Sequence, residues 1–259
     1  MRLAIMQPYF LPYIGYWQLM HAVDRFILYD DVQYIQRGWV NRNRILVNGH
    51  EVMLTVPLQA GSRRGQITSR QLSDETPWRA KLVQTVSEAY RRQPGHAEVM
   101  PSLQTWLGDG ATGVADYLSH LITGMAGLLG LPCEIVRSSE RHASTQDLKG
   151  QERILEICRR EGAMTYVNPP GGMALYREAA FAAQGCNLRF LVPQQVPYAQ
   201  RAASAFVPWL SIVDVLMACG VAGTRAMLNR YDLRSQSDLQ PPGSAESAAT
   251  TSINGPVQR

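Results

Sequence analysis

Short apolar runs alternate with helical patterns along most of this chain. The run 3–6 predicts a buried strand, the pattern at 14–23 a helix, and the run 26–29 a second strand. A strand, a helix and a strand within roughly thirty residues form a βαβ unit, whose strands are parallel with a right-handed crossover. Because such units present binding groups at the carboxyl ends of their strands, the residues after positions 6 and 29 are the first candidates for a site.

A second block repeats this alternation. The patterns predict strands at 133–136, 164–167 and 188–192, a helix at 148–161 with Asp147 as its N-cap and Gly162 after its end, and a short helix at 175–184. Between the two blocks lie a β-hairpin at 45–57 that turns at Asn48-Gly49, and helices at 78–92, 102–107 and 114–129. An apolar helix at 209–219 follows the second block.

These elements predict a parallel α/β sheet of the Rossmann-like type, with a hairpin and helical insertion at about 34–130 and helices toward the carboxyl terminus. The region 1–233 is predicted to be a single domain. From position 234 to 259 the chain is rich in Ser, Pro, Gly and Ala and has few large apolar residues. That composition predicts a disordered tail.

Composition narrows the class of function. The 259 residues carry a net charge of +4, and Lys81 and Lys149 are the two lysines among 25 basic residues. The arginines are spread along the chain, so a nucleic-acid groove is not predicted, and transfer RNA as a partner has no support from charge clustering. Arginine does suit bidentate binding of phosphate or carboxylate, so an anionic or nucleotide-linked small molecule is the predicted partner.

Cysteine, histidine and hydropathy patterns bear on location and metals. The four cysteines are far apart and form no C-x-x-C pair, and no signal peptide precedes Leu3, which favours a cytoplasmic protein with reduced thiols. The five histidines lack metal-ligand spacing, so no metal site is predicted. Glycine and proline interrupt the apolar stretch 121–136, so no membrane partner is predicted.

Polar and aromatic side chains follow the predicted strands. The first block supplies Gln7, Pro8 and Tyr9, then Asp30, Asp31 and Gln33. The second block supplies Ser138, Ser139, Asn168, Gly171 and Gly172, with Tyr176 nearby and with Lys149 and Gln151 at a helix start. Segment 34–43 adds a dense set of potential ligand contacts, namely Tyr34, Arg37, Trp39, Asn41 and Arg42.

Several of these candidates have two interpretations. Segment 34–43 is either a loop that contacts a ligand or a surface hairpin arm. The Gly/Arg segment 60–66 either closes over a phosphate or is a mobile connection, and the second interpretation is favoured. Lys149 contacts a phosphate, acts as a desolvated nucleophile, or is a solvated lysine at a helix start. Gly171 and Gly172 offer backbone N–H groups to an anion or form a tight turn.

Residues 12–16, Pro-Tyr-Ile-Gly-Tyr, are similar in layout to the P-x-H-x-G-H segment of the nucleotidylyltransferase superfamily. That segment starts the first helix in the superfamily and binds nucleotide phosphates. Tyr13 and Tyr16 stand at the two histidine positions and Gly15 keeps its place. Tyrosine donates a hydrogen bond to a phosphate but carries no positive charge, so the layout favours an anionic ligand over adenylylation chemistry.

Longer motifs resemble the WbqC-like protein family over residues 1–233. They are QPYFLPYIGYWQLM, YDDVQYIQRGWVNRN, RSSE, KGQERILEIC, NPPGG with Tyr176, and LSIVDVLM. The family is bacterial and occurs with surface-polysaccharide genes, including those for O-antigen. The resemblance implies a cytoplasmic biosynthetic transferase that adds an acyl or aminoacyl group to an amino sugar or similar amine.

The leading hypothesis is therefore a transferase that binds a nucleotide-bearing substrate. Asp30 or Asp31 would act as general base or bind a sugar hydroxyl, while Arg37, Arg42 and Lys149 would neutralise negative charge. No cofactor is predicted with certainty; Mg²⁺ accompanying a nucleotide is the one candidate. The alternatives are nucleotidylyl transfer, which the missing histidines weaken, and a non-catalytic protein that acts as a scaffold in glycan assembly.

Overall fold

The computed structural model describes residues 1–62 and 64–239. In chain order its elements are β1 (Arg2–Met6), α1 (Ile14–His21), β2 (Arg25–Leu28), β3 (Arg42–Val47), β4 (His50–Thr55), α2 (Trp78–Tyr90), α3 (His96–Leu107), α4 (Val114–Leu129), β5 (Glu134–Arg137), α5 (Ser138–Arg141), α6 (Gly150–Glu161), β6 (Thr165–Asn168), α7 (Glu178–Ala182), β7 (Asn187–Pro193), α8 (Ile212–Met227), β8 (Tyr231–Arg234) and α9 (Gln236–Leu239). Short 3₁₀ helices occupy Ile67–Ser69, Ala143–Thr145 and Pro170–Leu175.

Six strands form one sheet in the order β5-β2-β1-β6-β7-β8. The pairs β5–β2, β2–β1, β1–β6 and β6–β7 are parallel, and β8 runs antiparallel to β7. Starting from the central strand β1, the chain adds β2 and then β5 on one side of the sheet. It then returns to the other side of β1 and adds β6, β7 and β8 in turn. This is the doubly wound order of a Rossmann-like fold, and the predicted fold class is confirmed.

The strand order reverses between β1 and β6. These strands pair at Arg2↔Thr165 and Leu3↔Tyr166, and both then continue past the paired positions, to Met6 and Asn168. The two strands therefore part toward their carboxyl ends. In doubly wound sheets ligands bind in the crevice at this reversal, outside the carboxyl ends of the strands.

Alternate residues of the central strands pack into two cores. Ala4 and Met6 face the larger core, which α1, α2, α3, α4 and α8 complete. Leu3 and Ile5 face a smaller core with Ile154 of α6. A strand that is buried on both faces must be apolar at nearly every position, which explains the continuous apolar run of β1.

Most predicted elements are confirmed with small shifts of their ends. The β3–β4 hairpin turns at Asn48 and Gly49, which both have positive φ (50° and 82°), as the Asn-Gly pair predicts. Helices α2 and α4 occupy the predicted positions, and their predicted inward side chains Trp78, Leu82, Leu118 and Ile122 are buried.

Some predicted boundaries are wrong. The N-cap of α6 is Lys149, not Asp147, and α3 begins six residues before the predicted start at 102. The predicted helix 175–184 is a 3₁₀ helix at Pro170–Leu175 followed by α7. Gly171 and Gly172 therefore lie inside a helical turn rather than before a helix. The last long helix begins at Ile212 and extends to Met227, through a kink at Gly220, instead of spanning 209–219.

Strand β8 and helix α9 lie at the predicted domain end and beyond it. β8 ends at Arg234 and α9 at Leu239, so regular structure continues into the segment predicted as a tail. The rest of that segment, 240–259, lies outside the described residues. In the described ranges 1–62 and 64–239, no helix has the length and apolar character that crossing a membrane requires.

Candidate functional site at the carboxyl edge of the sheet

The loop from β1 to α1, residues 7–13, is held in a strained conformation beside the reversal. Leu11 is fully buried with a φ of 46°, a conformation that is unfavourable for a residue with a Cβ. The Asn43 amide donates to the carbonyls of Phe10 (3.0 Å) and Leu11 (2.7 Å), and the Ser211 hydroxyl donates to that of Leu11 (2.9 Å). Distant parts of the chain thus fix this loop from both sides.

Gln7 occupies the first position after β1. Its carbonyl accepts a hydrogen bond from the Tyr16 hydroxyl (3.1 Å), but its half-buried side-chain amide has no partner among the described residues. The amide offers one acceptor and two donors at the carboxyl end of the central strand. The hydroxyl of Tyr16, in contrast, is occupied and the residue is buried, which favours a structural role over the predicted phosphate contact.

Aromatic side chains cover the amino end of α1. The Tyr13 ring lies on Gly15, where a Cβ would be 2.3 Å from the ring. Burial raises the pKa of Tyr13 to about 12. Trp209, 43% exposed with a φ of 62°, contacts Tyr13 edge-to-face with ring centroids 5.5 Å apart. Gly15 therefore makes room for an aromatic ring, and an exposed tryptophan is held in a strained conformation beside it. Pro8 and Tyr9 are buried below this surface.

Asp30 lies beyond β2 in a complete set of hydrogen bonds. Its carboxylate accepts from the Arg137 Nε (2.7 Å) and from the Ser139 backbone N–H (2.9 Å) and hydroxyl (2.8 Å), and the Ser138 hydroxyl, whose proton is shared with Asp31, lies 3.1 Å away. Arg137 also contacts Asp116 at 2.6 Å. The structure thus brings together the predicted residues Asp30, Ser138 and Ser139, and it adds Arg137 as their cation.

Asp31 is in a similar arrangement on the other side of Ser138. Its oxygens accept from the Ser138 hydroxyl (2.6 Å), Gln146 (3.0 Å) and Arg153 (2.6 Å). Burial alone would raise the pKa of Asp31, but the hydrogen bonds from Arg153, Ser138 and Gln146 outweigh it and lower the pKa below 3.8. A carboxylate with a lowered pKa is a weak base, so these contacts favour a structural role for Asp31.

The start of α6 lies at the same edge. The N-cap Lys149 is exposed, Gly150 has a φ of 51°, and the cap position has no side-chain hydrogen bond. Gln151 accepts a hydrogen bond from the Arg177 backbone N–H (2.6 Å). A helix start with free N–H groups and an adjacent lysine has the charge that suits an anion.

Asn168 ends β6 on the other side of the reversal. Its amide donates to the Pro169 carbonyl (3.2 Å) and packs so closely on Gly172 that a Cβ there would be 2.0 Å from it. The Gly172 N–H donates to the Pro169 carbonyl, while Gly171 is exposed. The Tyr176 hydroxyl lies 3.3 Å from that of Tyr166. These contacts make a tight turn of the NPPGG segment.

Segment 33–42 crosses the edge above β2. Gln33 forms a bridge with Gln66, and the buried Tyr34 donates a hydrogen bond to Asn41 (2.8 Å). Arg42 donates to the backbone carbonyls of Gly38 (3.1 Å) and Arg37. Trp39 is half-buried and its carbonyl accepts from the Phe10 N–H at 3.0 Å. This segment therefore packs directly on the strained loop 7–13.

A further buried carboxylate, Asp214 of α8, lies near the hairpin tip. It accepts hydrogen bonds from the hydroxyls of Tyr90 (2.7 Å) and Tyr198 (2.7 Å) beside a cavity of about 20 Å³, roughly the size of one water molecule. Burial is the main reason that the pKa of both tyrosines is raised. The hairpin tip presses on the neighbouring loop, since a Cβ on Gly49 would be 2.1 Å from the Ala202 carbonyl. Asp214 therefore anchors the loop 194–210.

The sequence does not indicate five residues of this edge, namely Leu11, Arg70, Arg137, Arg153 and Trp209. Arg153 was interpreted only as part of a helix, because its partner Asp31 is far away in sequence. Positive φ at Leu11 and Trp209 has no signal in residue type, since both are unfavourable there. No set of three or more His, Cys, Asp or Glu side chains in 1–62 and 64–239 is arranged to hold a metal ion.

The strand order and the polar edge at the reversal define a Rossmann-like α/β protein with a candidate ligand site. The chain belongs to the WbqC-like protein family, whose model matches residues 7–226. It is 27% identical over 220 residues to a Mycobacterium tuberculosis protein named "Uncharacterized protein Rv1507c", an alignment that covers 85% of this chain and 94% of that one. No solved structure matches the chain.

Proposed function

We propose that this protein binds a nucleotide-linked or otherwise anionic substrate in the crevice between β1 and β6 and transfers an acyl or aminoacyl group to an amine. The observation that carries the proposal is the Gln7 amide at the carboxyl end of β1, next to the reversal of strand order, for which residues 1–62 and 64–239 supply no partner. The Gln7 side chain is half-buried and its amide reaches solvent, so its two donors and one acceptor are available to a ligand that enters the crevice.

In this proposal different residues bind different parts of the substrate. Lys149 and the free N–H groups of α6 bind the anionic group, and Gln7 orients the substrate through its amide. Trp209 stacks on a ring of the substrate, because its side chain is 43% exposed at this edge and its strained backbone holds it in place.

In the transfer step the amine attacks the acyl carbon, the donor's leaving group departs with the bonding electrons, and the proton that the amine loses passes to that leaving group. Asp30 and Asp31 maintain the shape of the site in this proposal, since each is bound by an arginine. The protein then contributes mainly by holding donor and amine in register, an effect that alone lowers barriers by several kcal/mol.

A thermal-shift screen tests the binding step. The panel contains ATP, UDP- and dTDP-amino sugars, acyl-CoAs and aminoacyl-tRNA, each with and without Mg²⁺. A ligand at about one hundred times its Kd adds roughly 2.7 kcal/mol to the free energy of unfolding, which raises the Tm measurably. Gln7→Ala and Lys149→Ala should reduce this increase, whereas Lys81→Ala, at the other lysine and on an exposed face of α2, should not.

The ligand that binds is then mixed with amine acceptors, and the acceptor mass is measured. A gain equal to the acyl group supports transfer. Binding without any gain in mass, over the full set of acyl donors and amines, would favour a non-catalytic scaffold. A folded protein whose Tm no member of the panel changes would overturn the proposed function.

A further inference from the structure

Two adjacent stretches of the chain contain arginine residues but no acidic residues. Residues 32–50 and 52–73 contain no Asp or Glu, and six arginines lie within them. The structure brings these stretches together through the Gln33↔Gln66 bridge and the hydrogen bond from the Tyr34 N–H to the Gly65 carbonyl (2.9 Å). Arg44 is neutralised by Glu51, which lies between the two stretches, whereas Arg70 and Arg42 both lie near Tyr34.

Arg70 lies at the centre of this region. The residue is 8% exposed, and its guanidinium lies 4.8 Å above the centre of the Tyr34 ring. One nitrogen, Nη1, donates to the Ser62 carbonyl at 3.3 Å. Gly61 lies so close to it that a Cβ there would be 2.4 Å from Nη1. Gly61 and Ser62 thus pack directly on a buried cation.

The charge of Arg70 has no counterion among the described residues. Arg153, which is 3% exposed, forms an ion pair with Asp31 at 2.6 Å, but Arg70 forms none in 1–62 and 64–239. Its Nε–H is closed off from solvent and has no acceptor in the part of the chain that the structure describes. Buried arginines are paired as a rule, because an unpaired buried charge is strongly unfavourable. An anion bound at the guanidinium would remove this cost.

Arg42 reinforces the same position. Burial raises the pKa of Tyr34, and the positive charges of Arg70 and Arg42 partly oppose that rise, so both guanidinium groups lie close to one hydroxyl. Arg42 donates to two backbone carbonyls and, within the described residues, has no acidic partner. The two side chains leave several N–H donors for a tetrahedral oxyanion.

We propose that Arg70 and Arg42 form a binding site for a phosphate group on the substrate, above β2 and distinct from the crevice at Gln7. The inference rests on the proposed function in one respect, namely that the anion is part of the transferred or donor molecule. A site here requires that molecule to carry a phosphate far enough from its reacting end to reach across the loop 7–13.

Inorganic phosphate and pyrophosphate are the probes. Isothermal titration measures their Kd, and thermal unfolding measures the rise in Tm relative to chloride at equal ionic strength. Arg70→Gln should raise the Kd for pyrophosphate about tenfold or more, since charge-assisted hydrogen bonds are lost. Arg70→Lys should recover part of the binding as a point charge. Arg92→Gln, at an exposed position after α2, should bind as the unmodified protein does.

A structural role alone predicts a different pattern. In that case Arg70→Gln lowers the Tm but leaves the phosphate-dependent rise intact, and the proposal is overturned. If Arg70→Gln fails to fold, Arg42→Gln takes its place: a tenfold loss of pyrophosphate binding supports the site, and an unchanged Kd overturns it. Sulfate and acetate arms distinguish a tetrahedral dianion from a carboxylate, and tight binding of acetate alone would exclude phosphate.

The two proposals fail in distinguishable ways. Gln7→Ala and Lys149→Ala should leave the Arg70-dependent binding of pyrophosphate unchanged. If pyrophosphate binds at Arg70 but no member of the nucleotide panel changes the Tm, the proposed function fails and the phosphate site remains. If nucleotides bind through Gln7 while Arg70→Gln binds pyrophosphate normally, the phosphate site fails and the proposed function remains.

Discussion

Arg153 determines the state of Asp31. Both side chains are almost completely buried. The Arg153 guanidinium donates a hydrogen bond of 2.6 Å to the Asp31 carboxylate and another to the Thr145 hydroxyl, and it lies 4.8 Å above the centre of the Tyr29 ring. A buried pair of this kind adds little net stability compared with apolar residues, but the loss of one member is costly because the other charge is left unpaired. The pair therefore acts mainly to fix where β2 ends relative to α6.

Asp31→Asn should destabilise the protein by about 3 kcal/mol at neutral pH, because Arg153 would remain buried without a counterion. The folded-state pKa of Asp31 lies below its unfolded value near 3.8, so the stabilisation is present above that pH and is lost as the pH falls through the folded pKa. Urea unfolding of both proteins should give a difference in free energy that is constant from pH 8 to about pH 5 and shrinks below about pH 4.

Glu156→Gln provides the matched control on the exposed side of α6, where Glu156 pairs with Arg159 and Arg160. Surface pairs contribute little, so this variant should unfold at nearly the urea concentration of the unmodified protein. A difference between Asp31→Asn and the unmodified protein that stayed constant down to pH 2 would show that the charge of Asp31 is not the stabilising feature.

The β3–β4 hairpin supports the long loop from β7 to α8. Its tip contacts Ala202, a non-glycine residue with a φ of 60°, while Tyr198 and Gln200 bind Asp214 below. The end of this loop carries Trp209, the proposed ring contact. The hairpin therefore supports the conformation of the loop, although the two are distant in sequence.

Gly49→Ala tests this coupling. Alanine at a φ of 82° is strained by about 1–2 kcal/mol, and its Cβ would also be 2.1 Å from the Ala202 carbonyl, so the loop must move away. We expect a lower Tm together with weaker binding of any ligand that stacks on Trp209. Tm and ligand Kd are the two measurements.

Gly185→Ala serves as a control that separates the backbone strain of alanine at positive φ from the contact between position 49 and Ala202. Gly185 has a similar φ of 71°, but a Cβ there meets nothing within 4 Å. It should lower the Tm by the strain alone and leave ligand binding unchanged. Equal effects of the two substitutions on binding would mean that the hairpin does not position the loop.

Secondary-structure elements that neighbouring residues determine could be predicted from the sequence. Elements that depend on packing or pairing with distant segments could not. The Asn-Gly turn and the face of α4 need only neighbouring residues. The first turn of α3 was missed because Pro101 suggests a helix start, although a proline in the second turn is accommodated here. Strand β8 was missed because YDLR is short and polar, and it becomes a strand only through its pairing with β7.

At the scale of the whole molecule, strand order concentrates the candidate residues. Gln7, Asp30, Ser138 and Asn168 come from four parts of the chain and meet at one edge because their strands are parallel. The sequence alone predicted this edge, since it follows from strand alternation. It did not predict which side chains are already occupied or that Arg70 lacks a counterion among the described residues, because those properties depend on contacts between distant segments.

Hydrogen–deuterium exchange tests which edge binds. With the nucleotide that gives the largest thermal shift, amides in 7–15, 147–152 and 168–173 should exchange more slowly, because they surround the crevice at the carboxyl edge. Amides at the opposite edge, in 21–25 and 161–165, should exchange at unchanged rates. Mass spectrometry of peptic peptides resolves these segments.

Slower exchange confined to 21–25 and 161–165 would place the ligand at the amino edge of the sheet and contradict the proposal that it binds in the crevice. Uniform slowing over the whole chain would indicate global stabilisation without locating a site, so the comparison is made at a ligand concentration near the Kd, where local protection dominates.

The position of β5 and β8 at the two edges of the sheet affects how the protein behaves at high concentration. Each has four residues, and charged side chains occupy half of the positions, namely Glu134 and Arg137 in β5 and Asp232 and Arg234 in β8. Short, charged edge strands are poor templates for another chain, because pairing would bury those charges. The sheet therefore resists growth by strand addition, and the apolar strands between its edges stay protected from aggregation.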